Sequence, residues 1–533
     1  MTNNERYQVI IAGGGPVGVA LAVELGQRGI RCAVVERYVE LQNIPKGQNL
    51  TSRTLEHFHF WGIERELREA RLLPPGYPIG GVTAYGTLMG EYWFMPPGRE
   101  QVRSFYYTAN ERLPQYLTEK VLRTRLAELP SANAFYGWTA EAFEQDENGV
   151  RVTMAETNGG GRQVLVGDYL VGCDGARSIV REGLGIKMGG TDFGRRMVLA
   201  VFRSRELHEG LKRFPERTTY RVLNPELQGY WQFFGRIDVG EGWFFHAPVP
   251  DDATAENFDL HGFLQQVAGF PFSAEFDHIG FWDLRIGIAE QYRQGRVFIA
   301  GDAAHTHPPY GGFGLNSGLE DVTNLGWKLA AVLQGWGGPD LLESYEAERR
   351  PIMIEITEGV IKGNIEKDRD LLNRFRPELD REAFEQAWKA AEATSSETPT
   401  NEPHYEGSPV VLGPPGAVSS VYSKHSHVAQ AGHHLTPQLL SDGRNTFDAL
   451  GRGYTLFAFD APEGAVAPFV AAAKTHDVPL TVVLDAFEGG RSAYESRLIL
   501  VRPDQYVAWA GNDAPEDAEA VMRRAVGSFQ TPP

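Results

Sequence analysis

The chain has 533 residues, room for roughly two to four domains and a large core. Its formal net charge of −18 and pI near 5.3 leave no basic footprint, which excludes nucleic acid and an anionic membrane surface as partners. Two cysteines, Cys32 and Cys173, exclude a disulfide framework and a Cys-rich metal site; in apolar runs they read as reduced core thiols of a cytoplasmic protein.

Val9 to Leu25 is apolar, but Gly13, Gly14, Gly15 and Pro16 interrupt it and Glu24 lies inside it. It is also shorter than the roughly 20 residues that span a bilayer. It therefore reads as strand, turn and helix rather than as a signal or membrane segment, and no other stretch is a membrane candidate. Tyr7 to Ala12 is the strand and Pro16 to Arg28 the helix, stopped by Gly29. A second strand, Arg31 to Val35, ends at Glu36. The whole is a βαβ unit opening an α/β domain.

Further on, Thr51 to Gly62 and Leu113 to Leu129 have helical spacing. Thr139 to Gln145, Gly149 to Glu156 and Gln163 to Gly172 read as a β-meander running into Cys173-Asp174-Gly175-Ala176-Arg177-Ser178. From about 190 to 285 aromatic strands appear, among them Tyr230-Trp231-Gln232-Phe233-Phe234 and Trp243-Phe244-Phe245-His246. They suggest one wall of an apolar chamber. Arg296 to Ala300 is a short buried strand, Asn316 to Leu333 a long helix, and helical pattern continues to about 392. Residues 394–416, rich in Pro, Ser, Thr and Gly, read as a linker. Beyond them, strands and helices alternate as in a small α/β domain.

Gly13-x-Gly15-x-x-Gly18 follows a strand and opens a helix, and Glu36 ends the next strand. The glycines allow a tight turn, backbone approach to a pyrophosphate and close helix packing. The helix N-terminus, with Pro16 and Val17, then faces the phosphates, and Glu36 is placed for ribose hydroxyls. Arg37 is placed to stack on adenine. The loop alone does not separate FAD from NAD.

The second strong signal is Gly301-Asp302-Ala303-Ala304-His305 running on to Pro308-Pro309-Tyr310-Gly311-Gly312-Phe313-Gly314-Leu315-Asn316. Asp302 ends a strand, where its carboxylate can accept from a ribityl hydroxyl. Gly312 and Gly314 keep the backbone bare for a flat ring, and Pro309 makes a rigid wall. Leu315 and Asn316 open a helix whose N–H groups suit an anionic pyrimidine edge. Two grips far apart in sequence suggest one long cofactor, FAD.

With Cys173 to Ser178 between them, these segments make the chain resemble the class A FAD-dependent aromatic hydroxylases, the family of p-hydroxybenzoate hydroxylase and phenol hydroxylase. The resemblance covers residues 5 to about 390. From about 417 onward the chain is similar to the thioredoxin-like domain appended to phenol hydroxylase, the match lying at Arg502 to Trp509. It implies an α/β and α+β fold: a Rossmann-like FAD-binding domain (1–189 and 286–393) interleaved with a β-sheet substrate domain (190–285). A linker (394–416) and a thioredoxin-like domain lacking cysteine (417–533) follow. Redox exchange by that domain is impossible without cysteines, so a structural or oligomeric role, as in a homodimer, is expected.

The resemblance further implies noncovalent FAD, NAD(P)H as a transient co-substrate, and O2 forming a C4a-hydroperoxyflavin that hydroxylates a small aromatic compound. Asp174 and Arg177 stand where the family contacts FAD and nicotinamide. Lys46 stands where relatives carry Arg, and Gln115 resembles a helix-start residue that reaches the cofactor. A phenol reacts best as its phenolate, so His246 is the first candidate base or acceptor, with an expected pKa near neutral. Tyr230, Gln232, Phe244 and Arg285 are the substrate candidates, and alternation would put Tyr230 and Gln232 on one face. His305 and His307 lie in the Gly-Asp loop, and no metal-ligand set is read. Two alternatives stay open. One is the same oxidant used for epoxidation, Baeyer–Villiger insertion, or loss of a nitro or halide substituent. The other is a non-catalytic flavin-binding assembly protein.

Overall fold

The structure, a computed structural model, describes residues 6–190, 192–395 and 400–529. Its first sheet is built on Arg6–Ala12, which pairs parallel with Cys32–Glu36 on one side and Arg162–Gly172 on the other. Ala132–Tyr136 and Val297–Ile299 extend it in parallel, and Arg293–Gln294 closes one edge. Val9, Ile10, Ile11 and Ala12 are fully buried, as a parallel strand covered on both faces requires. The expected meander is present as Trp138–Asp146, Gly149–Glu156 and Arg162–Gly172. Its last strand continues into the parallel sheet and delivers Asp174 to the same edge as the Gly13 turn.

The helices Pro16–Gly26 and Phe313–Leu333 pack together against this sheet. The long helix starts three residues before the predicted Asn316. Gly312, at φ +72°, takes the left-handed conformation at its N-cap, so the chain turns into the helix at Phe313.

The second sheet has seven strands, in the order Glu275–Arg285, Asp192–Arg203, Gly242–Val249, Trp231–Arg236, Thr219–Leu223, Gly81–Tyr85 and Trp93–Phe94. The last two correct the expected division of the chain. Residues 81–94 leave the first unit to join this sheet, Gly81–Tyr85 running parallel to Thr219–Leu223. One face packs on the helix Leu260–Ala268 through Phe202, Phe234, Phe245 and Leu264. The other face looks toward the flavin-loop residues and carries Met197, Leu223, Trp231 and Phe233.

The C-terminal sheet runs Leu480–Asp485, Tyr454–Phe459, Leu498–Val501, Val507–Gly511. Its first pair is parallel and the others antiparallel, the strand order of a thioredoxin-like core. A concavity of about 920 Å³ lies beside Asp460 and the helix Ala467–Thr475, on this unit rather than at the flavin loops.

The described part of 394–416 is no free tether. Tyr405, Val410 and Val411 are fully buried. Its polar residues, which read as linker composition, are spent on buried charges: Ser408 Oγ donates to Glu348 Oε1 at 2.5 Å. The segment also brings together groups far apart in sequence. His404 and His433 stack with parallel rings at 4.8 Å. Glu406 lies 3.1 Å from His433 Nε2 and Glu402 3.8 Å from its Nδ1. Spacing along the chain hid this cluster, whose His404, Glu406 and His433 ligand atoms lie within 4.8 Å of one another. Parallel rings point their in-plane lone pairs side by side, so the arrangement is that of an imidazolium between carboxylates.

Glu348 lies buried at the seam between the units. It is fully buried and accepts from Lys328 Nζ at 2.7 Å, from Arg502 at 2.6 and 2.9 Å, and from Asn324 Nδ2 at 2.6 Å. Burial alone would raise its carboxyl, but Arg502 and Lys328 overcome that and hold it far below the usual carboxylate range. Arg502 also pairs with Asp504 at 2.6 Å.

Arg502→Leu should therefore destabilise the whole chain by about 3–5 kcal/mol, because it strands a buried carboxylate. Combining it with Glu348→Leu should recover much of the loss. Thermal and urea melts of the two variants check this, and equal stabilities would contradict it. Deletion from about 417 onward should likewise unfold the flavin unit rather than release it intact, as limited proteolysis and flavin content would show.

Burial lowers the pKa of His433, but its bonds to Glu402 and Glu406 win and the net shift is upward. A raised value means stability that is present below the unfolded pKa and lost as pH rises through the folded one. His433→Ala should thus cost more stability at pH 6 than at pH 9. A pH-independent loss in chemical denaturation would contradict the assignment.

Candidate functional site

The predicted Gly-rich turn sits where the backbones meet. Gly13 has φ +98°, and a Cβ there would collide with the carbonyl of Cys173. A Cβ at Gly18 would strike the carbonyl of Gly13. At Gly15 it would meet nothing within 4 Å, which leaves the helix N-terminus open to a phosphate. Pro16 is the first helical residue. Val17 is chiefly a packing residue: its methyls fill the space beside Gly301 and Gly318. It thus locks the first motif onto the second.

Glu36 accepts from the Gly14 N–H and the Tyr38 N–H, both at 2.7 Å. Two amides fix the carboxylate at the strand end and leave lone pairs for ribose hydroxyls. Arg37 is exposed, its guanidinium 4.9 Å from the Tyr38 ring. Asp174 Oδ2 accepts from the Val180 N–H at 3.2 Å. Its Oδ1 is buried with no hydrogen-bond partner, and burial raises the carboxyl. An orphaned carboxylate oxygen beside the turn suits a ligand hydroxyl or amide.

Asp302 is open to solvent yet surrounded by protein, as a group on the floor of a crevice is. Desolvation raises its carboxyl, opposed by His305 and Lys46. Lys46 is exposed and acts electrostatically on Asp302, Glu119 and His278. It therefore stands over the trench between the two sheets. Gln115 donates to Glu119 at 2.8 Å. A Cβ at Gly47 would lie 3.3 Å from the Gln115 oxygen and 3.5 Å from Leu315, so these residues converge on one side of the trench.

The Gly-Asp loop is held by charge. His305 Nε2 lies 2.7 Å from Asp321 Oδ2, which also accepts from the Gly301 N–H at 3.0 Å. Arg349 Nε donates to Asp321 Oδ1 at 2.8 Å. Gly314 and Leu315 fall in the helix's first turn, where backbone N–H groups have no intrahelical acceptor. The Asn316 side chain is fully engaged. It accepts from Thr51 N–H at 2.9 Å and Thr54 Oγ1 at 2.6 Å, and donates to Asn49 O at 2.8 Å and Gly312 O at 2.5 Å. It shapes the turn rather than offering a free group.

These residues fit FAD along its length. The open Gly15 cradle has room for a pyrophosphate, and Glu36 and Asp302 could accept from hydroxyls at either end. Bare N–H groups at the helix start could take the ring edge.

The substrate candidates divide. Phe244 and His246 are buried on the face toward the flavin loops. Phe233 stacks on His246 with centroids 5.2 Å apart. Pro309, with Pro308, closes a small apolar pocket with Tyr230, Trp231, Phe233 and Leu284. Tyr310 meets the Trp231 ring edge-on at 4.1 Å. Gln232 does not share this face. It pairs across strands with Val222, a residue of the opposite core. Tyr230 precedes the strand that begins at Trp231, so alternation does not tie the two. Arg285 is exposed at its strand end, while its neighbour Leu284 points into the pocket. The expected substrate roles of Gln232 and Arg285 are therefore corrected by strand parity.

His246 differs from expectation in its basicity. Burial pushes it down to about 4, and its Nδ1 is buried with no partner. It is a neutral hydrogen-bonding group at physiological pH, not a base titrating near neutral. Motif reading missed two residues. His307 donates Nδ1–H to Pro308 O at 2.8 Å, which leaves Nε2 as an acceptor; only its place inside the loop signalled it. Arg112 is buried at the trench with no motif to mark it.

A family model described as FAD binding domain matches residues 6–360, and one described as Aromatic-ring hydroxylase, C-terminal, matches residues 429–528. The chain is 30% identical to a 4-methyl-5-nitrocatechol 5-monooxygenase of a Burkholderia species, over 97% of this chain and 96% of the relative. It is also 30% identical to the tetracenomycin A2 monooxygenase-dioxygenase of Streptomyces glaucescens, over 98% and 97%. A crystal structure of aklavinone-11 hydroxylase in ternary complex with FAD and aklavinone superposes with a TM-score of 0.83, at 25% identity, covering 98% of this chain and 100% of that one. The cradle at Gly13–Gly18, the crevice at Asp302 and these similarities agree: the chain belongs to the FAD-dependent aromatic-ring hydroxylases and is a flavoprotein monooxygenase.

Proposed function

We propose that the protein hydroxylates a phenolic or related electron-rich aromatic compound, consuming NAD(P)H and O2. The observation that carries this reading is the trench itself. Trp231 and Phe233 of the aromatic sheet pack with Tyr310 and Phe313 of the flavin loop, and Arg112, bonded to Asn49 beside Gly312, lies 5.8 Å from the Phe244 ring. Bound FAD supplies the hydride-accepting and oxygen-activating chemistry. The chain's residues bind, orient and exclude water. Pro308, Pro309 and Trp231 close one end of the apolar pocket. Neutral His246 accepts a hydrogen bond from a substrate hydroxyl and holds it against the Phe233 ring. NAD(P)H has no Rossmann unit of its own among the described residues, which supports a transient visit near Asp174.

Loss of a ring substituent remains a second reading. The similarity over nearly the whole chain to a 4-methyl-5-nitrocatechol 5-monooxygenase favours it. Family membership sets aside the non-catalytic alternative. Oxidation of NAD(P)H against a panel of phenols and nitrophenols, with product mass and nitrite measured, tests both. No substrate-stimulated oxidation by any aromatic compound would overturn them together.

Asp302→Ala and Glu36→Ala should each weaken FAD retention about tenfold, the worth of one charge-assisted hydrogen bond. Flavin should leave on dilution and on acid precipitation, with none pelleting with the protein. Full flavin occupancy after dilution of both variants would show the hydroxyl assignments to be wrong.

His246→Ala should slow product formation and raise hydrogen peroxide released per NAD(P)H consumed, with flavin content unchanged. With its pKa near 4, His246 stays neutral from pH 6 to 8, so wild-type coupling should show no inflection there from this residue. The variant's defect should shrink once the phenol ionises unaided. An inflection near neutral pH that the variant abolishes would restore His246 as a titrating base.

A further inference from the structure

Arg112 lies in a two-residue strand, Glu111–Arg112, paired with Asn49–Leu50 beside the flavin turn. It is only 2% exposed. One Nη donates to Asn49 Oδ1 at 2.6 Å and the other to Arg236 O at 3.2 Å. Its Nε is buried with no partner. The guanidinium lies 5.8 Å from the Phe244 ring centroid, on the aromatic wall that carries His246.

Its charge has no carboxylate partner, a state it shares with the buried Arg236, whose guanidinium is taken up by Tyr220, His208 and a carbonyl. The other arginines of the seam are neutralised: Arg53 by Glu56 and Glu320, Arg349 by Asp321, Arg502 by Glu348 and Asp504. Among the described residues no carboxylate pairs with Arg112. Glu111, next in the chain, turns its carboxylate to Arg68 and Arg71 at 3.1 and 2.8 Å. The Arg236 guanidinium is directed to Tyr220 and His208. His246 is neutral. Desolvation alone pushes Arg112 down to about 9, so at neutral pH it is a buried cation without a counter-ion. Buried charges are usually paired, because leaving one alone is costly.

We propose that Arg112 is the counter-charge for an anionic oxygen, phenolate or carboxylate, of the aromatic substrate held against Phe244 and His246. The proposal rests on the reading of the trench as an aromatic-substrate site, and it names the ionisation state of that substrate. Asn49 and Arg236 fix the guanidinium, so the field is in place before the ligand arrives. His246, being neutral, accepts from a hydroxyl that stays protonated.

The test uses oxidised holoenzyme and 4-nitrophenol, whose phenolate is coloured and which ionises near neutral pH. Difference spectra against pH give the ionisation of the bound probe, and nitrobenzene serves as the uncharged isostere. Bound nitrophenol should ionise about one unit or more below the free compound. Arg112→Met should remove that shift and weaken nitrophenolate binding about tenfold or more, with nitrobenzene binding and FAD content unchanged. Arg112→Lys, which keeps the charge, should retain part of the shift. The wild-type titration needs no variant to fold. If neither probe binds, the aromatic-site reading fails with this one. If both bind and nitrophenol ionises as it does in water, Arg112 alone is misassigned. A normal nitrophenol shift in Arg112→Met, together with a lowered flavin midpoint potential, would give the charge to the reduced flavin and overturn the proposal.

Discussion

The molecule depends on charge buried along one helix. Phe313–Leu333 carries Glu320, Asp321, Asn324 and Lys328 on faces shut off from water. A buried charge must be matched, and each of these is matched from a different part of the chain. Arg53 and His57 come from the helix Ser52–Phe60. His305 and the Gly301 N–H come from the Gly-Asp loop. Glu348 and Arg349 come from the helix Ser344–Ile354, and Asp504 from the C-terminal unit. Ion pairs of this kind add little net stability against a hydrophobic alternative. They do specify one arrangement, because any other strands a charge. On the proposed placement of FAD the same helix would present its N-terminus to the flavin, and the position of the ring edge would be set by partners from four segments.

This gives the cysteine-free C-terminal unit a physical role. It touches the flavin helix through Asp504, which accepts from Asn324, and through Arg502, which lies 5.4 Å from the Trp327 ring; Gln505 accepts from Arg53 of the neighbouring helix at 2.8 Å. His434 lies 2.8 Å from Glu56, the carboxylate that also pairs with Arg53. A unit held by buried charge is not a tethered module, and the packed segment 400–416 agrees. Pro and Ser there mark irregular backbone, not freedom. Composition reports the first and cannot report the second, because burial of Ser408 depends on Glu348, which lies 60 positions earlier.

Motifs were legible where the backbone itself is constrained. Gly13 and Gly18 have no room for a side chain, Gly312 needs a left-handed φ, and Glu36 must end a strand. Those demands write themselves into sequence at fixed spacing. The substrate wall was legible only as a region. Whether a side chain faces the trench turns on the parity of a strand, and a one-residue error in its start moves every assignment. Tyr230 and Gln232 show this: their spacing predicts one strand face, yet one precedes the strand and the other packs behind the sheet. Arg112 left no signal, since a two-residue strand has no periodicity and its meaning lies in the absence of a carboxylate around it. The His404–His433 stack was hidden likewise, its members being 29 positions apart.

The titration behaviour of the trench bears on what kind of catalyst this chain builds. Burial lowers His246 and His307 to about 4 and raises Asp174 and Asp302. The two histidines are moved away from neutral, out of the range where a side chain trades protons readily. A site with no well-placed base can still favour a phenolate if a fixed cation stabilises it, and Arg112 is such a cation. Proton loss would then be an equilibrium set by the field of the site rather than a transfer to a side chain. That suits chemistry in which the cofactor does the oxidation. The chain's task, on that reading, would be to keep the ring electron-rich, dry and in place beside the flavin. On the proposed reading, fixed charge, aromatic walls and two prolines would accomplish that without any residue changing its protonation state.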